Sequence, residues 1–192
     1  MNYNSVLCVG DSITFGSRDD KNSNYPLEME AILEEKAGGM WLCVGDGICG
    51  ETSVDLIRRF YKLVSGFPRV YEVCLFEGVN DAKDEKNTLP EIYSKNMEHC
   101  IKVCKILGKK LFLGTIPEKN GNLAPSYGKN TNDRVKKYNH ELELLAQKYD
   151  LELVDLSALP KECYADGIHF NNSGHREIAR RFSEAILKER GI

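Results

Sequence analysis

Four stretches of the chain hold residues suited to acyl transfer. Ser12 lies in Gly10-Asp11-Ser12-Ile13-Thr14-Phe15-Gly16, where a sharp turn flanked by glycine would present its hydroxyl. Acyl transfer by a hydroxyl needs a nucleophile, a base, a group that orients the base, and donors for the oxyanion. His169 is the candidate base. Asp166, three residues earlier, reaches it within one turn, because a four-residue turn brings its end Cα atoms within about 7 Å. A carboxylate so placed fixes the imidazole tautomer and stabilises the imidazolium formed when Ser12 loses its proton. Gly50 and Asn80 are the candidate oxyanion donors. A glycine lets a backbone N–H approach a ligand without a side chain in the way, and an Asn amide adds an oriented neutral donor. Each residue also has a plainer reading. Ser12 could merely cap a turn, Asp166 and His169 could sit in a solvated loop, Gly50 could open a helix, and Asn80 could hold its own loop.

These residues are spread over most of the chain, so a fold must gather them. Short apolar runs predict strands at Ser5–Val9, Trp41–Val44, Val70–Phe76, Lys110–Gly114 and Glu152–Asp155. Between them lie helical patterns. Pro26–Ala37 has Pro in its first turn and Gly38-Gly39 past its end. A second helix carries Val54, Ile57, Tyr61 and Val64 on one face, and a third, Leu89–Leu107, is stopped by Gly108. Asn132–Tyr149 has Val135, Tyr138, Leu142, Leu145 and Tyr149 as its stripe, and Ser173–Arg190 carries Ile178, Phe182 and Ile186 inward. Five β–α alternations predict an α/β fold, a parallel sheet covered by helices on both faces, with a flavodoxin-like strand order. No internal repeat or linker divides residues 1–192, so one domain is expected. In such sheets ligands bind outside the carboxyl ends of the strands, which is where all four stretches fall.

Taken together, Gly-Asp-Ser near the start, Gly50 after the second strand, Gly78-Val79-Asn80-Asp81 after the third and Asp166-Gly167-Ile168-His169 near the end resemble the SGNH hydrolase superfamily, also called the GDSL-type esterase/lipase family. The resemblance spans essentially the whole chain. It implies a three-layer α/β/α sandwich with a five-stranded parallel sheet, and a serine esterase that needs neither metal nor cofactor. It implies Ser12 as nucleophile, His169 as base and Asp166 as its partner, with the Ser12 N–H, the Gly50 N–H and the Asn80 side chain as the oxyanion hole. Ile13 replaces the Leu of the family name, a volume-conserving change. Cys49 stands where Ser is more usual, which opens a rival reading in which His169 activates that thiol. A rival of another class is a non-catalytic flavodoxin-like module whose first loop cradles phosphate or flavin; that loop lacks the Thr/Ser/Gly-rich cradle such binding needs. Asp11 and Asp81 are expected to support their loops, and His175 to cap or pack the closing helix.

Composition bounds the rest. With 26 Lys+Arg against 29 Asp+Glu, net charge −3 and no long basic run, the chain is not expected to bind nucleic acid. No apolar run reaches the length of a membrane span, and the start is a poor secretion signal. Seven cysteines, odd in number and without a Cys-x-x-Cys pair, predict free thiols in the cytoplasm. Cys100 and Cys104 continue the stripe Tyr93, Met97, Cys100, Cys104, Leu107 and are expected in the core rather than on a metal. The oligomeric state is not readable. The long polar stretch Glu118–Gly128 predicts a mobile loop bordering the site, better suited to a short acyl group on a polar alcohol, such as an acetylated sugar, than to a long lipid chain. Lysophospholipase- or thioesterase-type acylhydrolysis is the alternative within the same family.

Overall fold

The computed structural model describes residues 4–19, 21, 24–120 and 124–192. Along the chain run β1 (Asn4–Gly10), α1 (Ser12–Phe15), α2 (Tyr25–Ala37), β2 (Trp41–Gly47), α3 (Ser53–Ser65), β3 (Glu72–Phe76), α4 (Pro90–Ile106), β4 (Lys110–Gly114), α5 (Thr131–Tyr149), β5 (Glu152–Val154) and α6 (Asn172–Glu189). All strand pairs are parallel, in the order β2-β1-β3-β4-β5. This is the expected flavodoxin-like arrangement in an α/β/α sandwich. α2 packs on α6, and α3, α4 and α5 pack in succession.

The central strands are apolar because both faces are covered. Val6–Val9, Val73–Leu75 and Leu111–Leu113 are buried, with Tyr25, Tyr93, Phe112 and Phe182 filling the spaces between sheet and helices. The strand β2 is at the edge, so Leu42 is exposed while Trp41 and Cys43 turn inward. Its outward N–H groups are not left open: Trp41 N donates to Glu34 Oε1 (3.2 Å) and Cys43 N to Glu30 Oε2 (3.0 Å), both from α2. Charged side chains on an edge oppose pairing with another strand.

The sequence placed most elements within a residue or two, with three differences. First, β2 runs on through Gly45-Asp46-Gly47, which reads as a loop by composition but pairs with Cys8, Val9 and Gly10 of β1. Second, the turn at Ser12 is a short helix. Third, the buried face of α3 is Ser53, Leu56, Phe60 and Val64; of the expected stripe Val64 lies on it, while Val54 and Ile57 are half-buried and Tyr61 is exposed. Two apolar stripes overlap on this helix. Arg59, held by Glu51 and Asp46, and Ser53, held by Asp81, settle which stripe faces inward. The stripe of α4 packs as expected, with Tyr93, Met97, Cys100 and Cys104 buried, and all seven cysteines are free.

Candidate active site

The site is built at the carboxyl ends of β1, β2 and β3, with a contribution from the chain between β5 and α6. After β1, the Asp11 carboxylate accepts from Ile13 N (2.8 Å) and caps α1, while Gly16 ends the helix in the left-handed region at φ 91°. Ser12 therefore occupies the first helical position, whose N–H has no intrahelical acceptor. β2 comes close behind it, since Ile48 N donates to Gly10 O at 3.0 Å. Gly50, with φ +80°, follows, and its N–H makes no hydrogen bond among the described residues.

The segment between β5 and α6 brings His169, the candidate base. Ala165 N donates to His169 O (2.8 Å), and Tyr164 bridges to Phe170, folding residues 164–170 into a tight loop. Within it Asp166 Oδ1 accepts from Ile168 N (3.1 Å) and His169 N (2.9 Å), and Oδ2 lies 2.8 Å from His169 Nδ1. His169 Nε2 is 3.0 Å from Ser12 Oγ. Burial acts to raise the Asp166 carboxyl, but the His169 N–H, the His169 ring and the Ile168 N–H outweigh it and hold the pKa below its ordinary value. An ionised Asp166 only accepts, so Nδ1 carries the ring proton and Nε2 is left to accept from the Ser12 hydroxyl. Arg18 Nε also lies 3.7 Å from Asp166 Oδ2, at the solvent side.

Asn80 is reached through the loop after β3. Asp81 pins that loop by accepting from Ser53 N (2.8 Å) and Ser53 Oγ (2.6 Å), at the start of α3. The buried Asn80 amide is held on every side. Its Nδ2 donates to Glu51 O (2.9 Å) and Asp11 Oδ2 (3.1 Å), and its Oδ1 accepts from Tyr127 Oη (3.3 Å). Tyr127 comes from the polar stretch after β4 and carries Lys83 Nζ 4.4 Å over its ring. The described parts of that stretch are tied down: Asn120 N donates to Gly167 O (2.8 Å), and Asp84 N to Tyr127 O (3.2 Å). Leu123 and its neighbours at 121 and 122 lie outside the described residues.

Beneath these groups sit four buried carboxyls, Asp11, Glu51, Glu77 and Asp81. Arg59 grips Glu51 with two nitrogens, at 2.6 and 2.5 Å. Glu77 Oε1 accepts from Gly78 N, and Oε2 has no partner among the described residues. Burial, with repulsion from Asp11, Asp81 and Glu51 added, pushes the Glu77 pKa well up. Asp11 is raised to about 7, chiefly by burial; the Ile13 N–H opposes this, and Asp81 and Glu51 add to it.

The structure thus brings together all five residues singled out in the sequence: Ser12, Gly50, Asn80, Asp166 and His169. Cys49 is exposed, with its thiol 3.2 Å from Ser17 Oγ, whereas the hydroxyl that His169 Nε2 meets is that of Ser12. His175 is buried inside α6 and packs edge-on against Phe170, and burial lowers its pKa to about 4. His140 is on the surface, beside Glu143. Tyr127 was missed, because one tyrosine in a polar loop has no periodicity to mark it. The second contact of Asp11 was missed because it reaches across 69 residues.

A model of the GDSL-like Lipase/Acylhydrolase family matches residues 8–177, from β1 into α6. The chain belongs to this family. It is an ester-bond hydrolase, which sets aside the non-catalytic binding module. Among curated proteins none matches the sequence significantly. Solved structures share the fold of this hydrolase. A lipase/acylhydrolase from Enterococcus faecalis is 22% identical, with a TM-score of 0.80 over 97% of this chain and 96% of that one. Axe2, an acetylxylan esterase from Geobacillus stearothermophilus, is 21% identical, with a TM-score of 0.77 over 95% and 94%. A carbohydrate acetylesterase family member from Sinorhizobium meliloti is 17% identical, with a TM-score of 0.79 over 98% and 100%. Among the described residues no helix is long and apolar enough to cross a membrane.

Proposed function

We propose that this hydrolase is a serine esterase that cleaves short-acyl esters of polar alcohols, such as O-acetylated carbohydrates, through an acyl-enzyme. The observation that carries the reading is the unbroken chain from Asp166 Oδ2 through His169 to Ser12 Oγ, at 2.8 and 3.0 Å. Ser12 attacks the ester carbonyl as His169 Nε2 takes its proton, and Asp166 stabilises the imidazolium that results. The N–H groups of Ser12 and Gly50, with the Asn80 amide, are assigned to the oxyanion of the tetrahedral intermediate. His169 then protonates the leaving alcohol, and water repeats the sequence on the acyl-enzyme.

Two things support the short acyl group and polar alcohol. The segment after β4 is polar where it meets the site, bringing Tyr127 Oη to the Asn80 amide at 3.3 Å and Asn120 N to Gly167 O at 2.8 Å. Two neighbours of like fold are an acetylxylan esterase and a carbohydrate acetylesterase family member. A second reading has its own observation. A groove of about 780 Å³, walled by Phe15, Ile48, Leu63 and Phe67, opens beside the Ser12 helix, and Phe15 and Ile48 are exposed in the manner of an acyl-chain wall. p-Nitrophenyl esters from acetate to palmitate, run beside acetylated sugars, separate the two readings; preference for the long chains would defeat the first. A fluorophosphonate probe should label wild type and not Ser12→Ala. Labelling of folded Ser12→Ala at Cys49 would overturn the nucleophile assignment.

A further inference from the structure

The Asp11 carboxylate is shared between the two halves of the site. Its Oδ1 holds Ile13 N, the second residue of the helix that begins with Ser12, and its Oδ2 holds the Asn80 amide nitrogen from the other side of the sheet edge. Capping alone does not account for this residue. A Ser or Asn would satisfy the Ile13 N–H as well, without placing another carboxyl among Glu51, Glu77 and Asp81. The second contact is what only a two-oxygen acceptor supplies here, because both the Ile13 N–H and the Asn80 amide come to it as donors.

We propose that Asp11 is a positioning residue: it ties the nucleophile helix to the Asn80 amide and so sets the gap between Ser12 Oγ and the donor that an oxyanion must bridge. This rests on the serine-esterase reading above and names a further residue for the same reaction. In the free enzyme both hydrogens of Asn80 Nδ2 are engaged, by Glu51 O at 2.9 Å and Asp11 Oδ2 at 3.1 Å. The longer of these bonds, to Asp11, is the one that yields or is shared as negative charge builds on the substrate oxygen. The buried charge is the cost of holding this geometry, in the manner of an active site that trades stability for preorganisation.

The test uses Asp11→Asn and Asp11→Ser, which keep an acceptor for the Ile13 N–H but remove the second oxygen. Hydrolysis of p-nitrophenyl acetate should lose at least about tenfold in kcat, with KM within about threefold. The Tm should not fall, because one buried carboxylate is gone. In an Asn80→Ala background, Asp11→Asn should cost less than about threefold more, since the residue it acts through is already absent. Near-wild-type kcat in either folded variant would overturn the proposal. So would a full multiplicative loss on Asn80→Ala, or a kcat loss that follows a falling Tm. Unfolding of both variants would overturn it too, by making Asp11 a requirement of the fold. Ser12→Ala checks the nucleophile separately: activity retained there defeats the esterase reading, whereas an inactive Ser12→Ala beside an active Asp11→Asn defeats the tie alone.

Discussion

Gly47, the last residue of β2, touches the helix that carries Ser12 so closely that one methyl group should displace it. A Cβ built there would stand 2.5 Å from Asp11 O and 2.8 Å from Thr14 C, and would press on Phe15 N as well. All three are backbone atoms of the helix that carries Ser12, so no side chain can swing away. Ordinary contact begins at about 3.4 Å, so relief requires the strand and helix to part by about 1 Å. A misplacement of about 1 Å at a reacting group can cost about 10²-fold in rate. Overpacking of this kind costs about 1–3 kcal/mol, and a domain of this size loses about 2–4 °C per kcal/mol. Gly47→Ala should therefore lower kcat on p-nitrophenyl acetate by about 10²-fold and Tm by about 2–12 °C. Gly45→Ala, on the same strand, is the control. Its Cβ would meet Pro26 Cγ at 3.2 Å and Thr14 O only at 3.8 Å, so kcat should stay within about threefold. Steady-state kinetics and circular-dichroism melts of both variants decide the matter. Equal losses in the two variants, or an unchanged Gly47→Ala, would refute the reasoning.

Asp166→Asn keeps an acceptor for the Ile168 and His169 N–H groups but can turn an amide NH₂ toward His169 Nδ1, favouring the tautomer that cannot accept from Ser12. A loss on the order of 10³-fold in kcat with little change in Tm is expected, and a loss under tenfold would count against this role of Asp166. Stability should also depend on pH in a particular direction. Asp11 and Glu77 have folded-state pKa values raised above their unfolded ones, so the stability they lend is full in acid and is lost as pH rises, for Asp11 through about 7. Melts should give a higher Tm at pH 5 than at pH 8, and Asp11→Asn should shrink the difference; a Tm that climbs over this range would contradict it. At the far end of the sheet, Arg190 lies 4.4 Å over the Trp41 ring and bonds Glu72 Oε1 at 2.7 Å, and Glu72 is 3% exposed. Arg190→Ala leaves that carboxylate buried and alone, so the urea midpoint should fall by an amount worth about 2–3 kcal/mol, with kcat near wild type. A shift under about 0.5 kcal/mol would mean that water replaces the guanidinium.

What could be read from the sequence was whatever leaves a local mark. Strands buried on both faces write themselves as apolar runs, so Val6–Val9 and Leu111–Leu113 were plain. Asp166 and His169 are three residues apart in one turn, and Ser12 stands between glycines. The features that escaped are those that depend on long-range contacts. Gly45-Asp46-Gly47 has a loop's composition and is strand only because β1 supplies its partners. α3 carries two apolar stripes, and only the Arg59 and Ser53 contacts choose between them. Tyr127 and the second contact of Asp11 act on Asn80 across 47 and 69 residues. Composition cannot report such distances.

The hydrogen bond between Ser12 and His169 closes a span of 157 residues. Ser12, the proposed nucleophile, follows the first strand, whereas His169, its proposed base, lies beyond the fifth strand on the segment that leads into α6. During synthesis Ser12 is therefore made long before His169, and on the proposed mechanism no intermediate that lacks the docked C-terminal segment turns over ester. Return of hydrolysis after dilution from denaturant is thus a clock for the docking of that segment, whereas circular dichroism records the helices as they form.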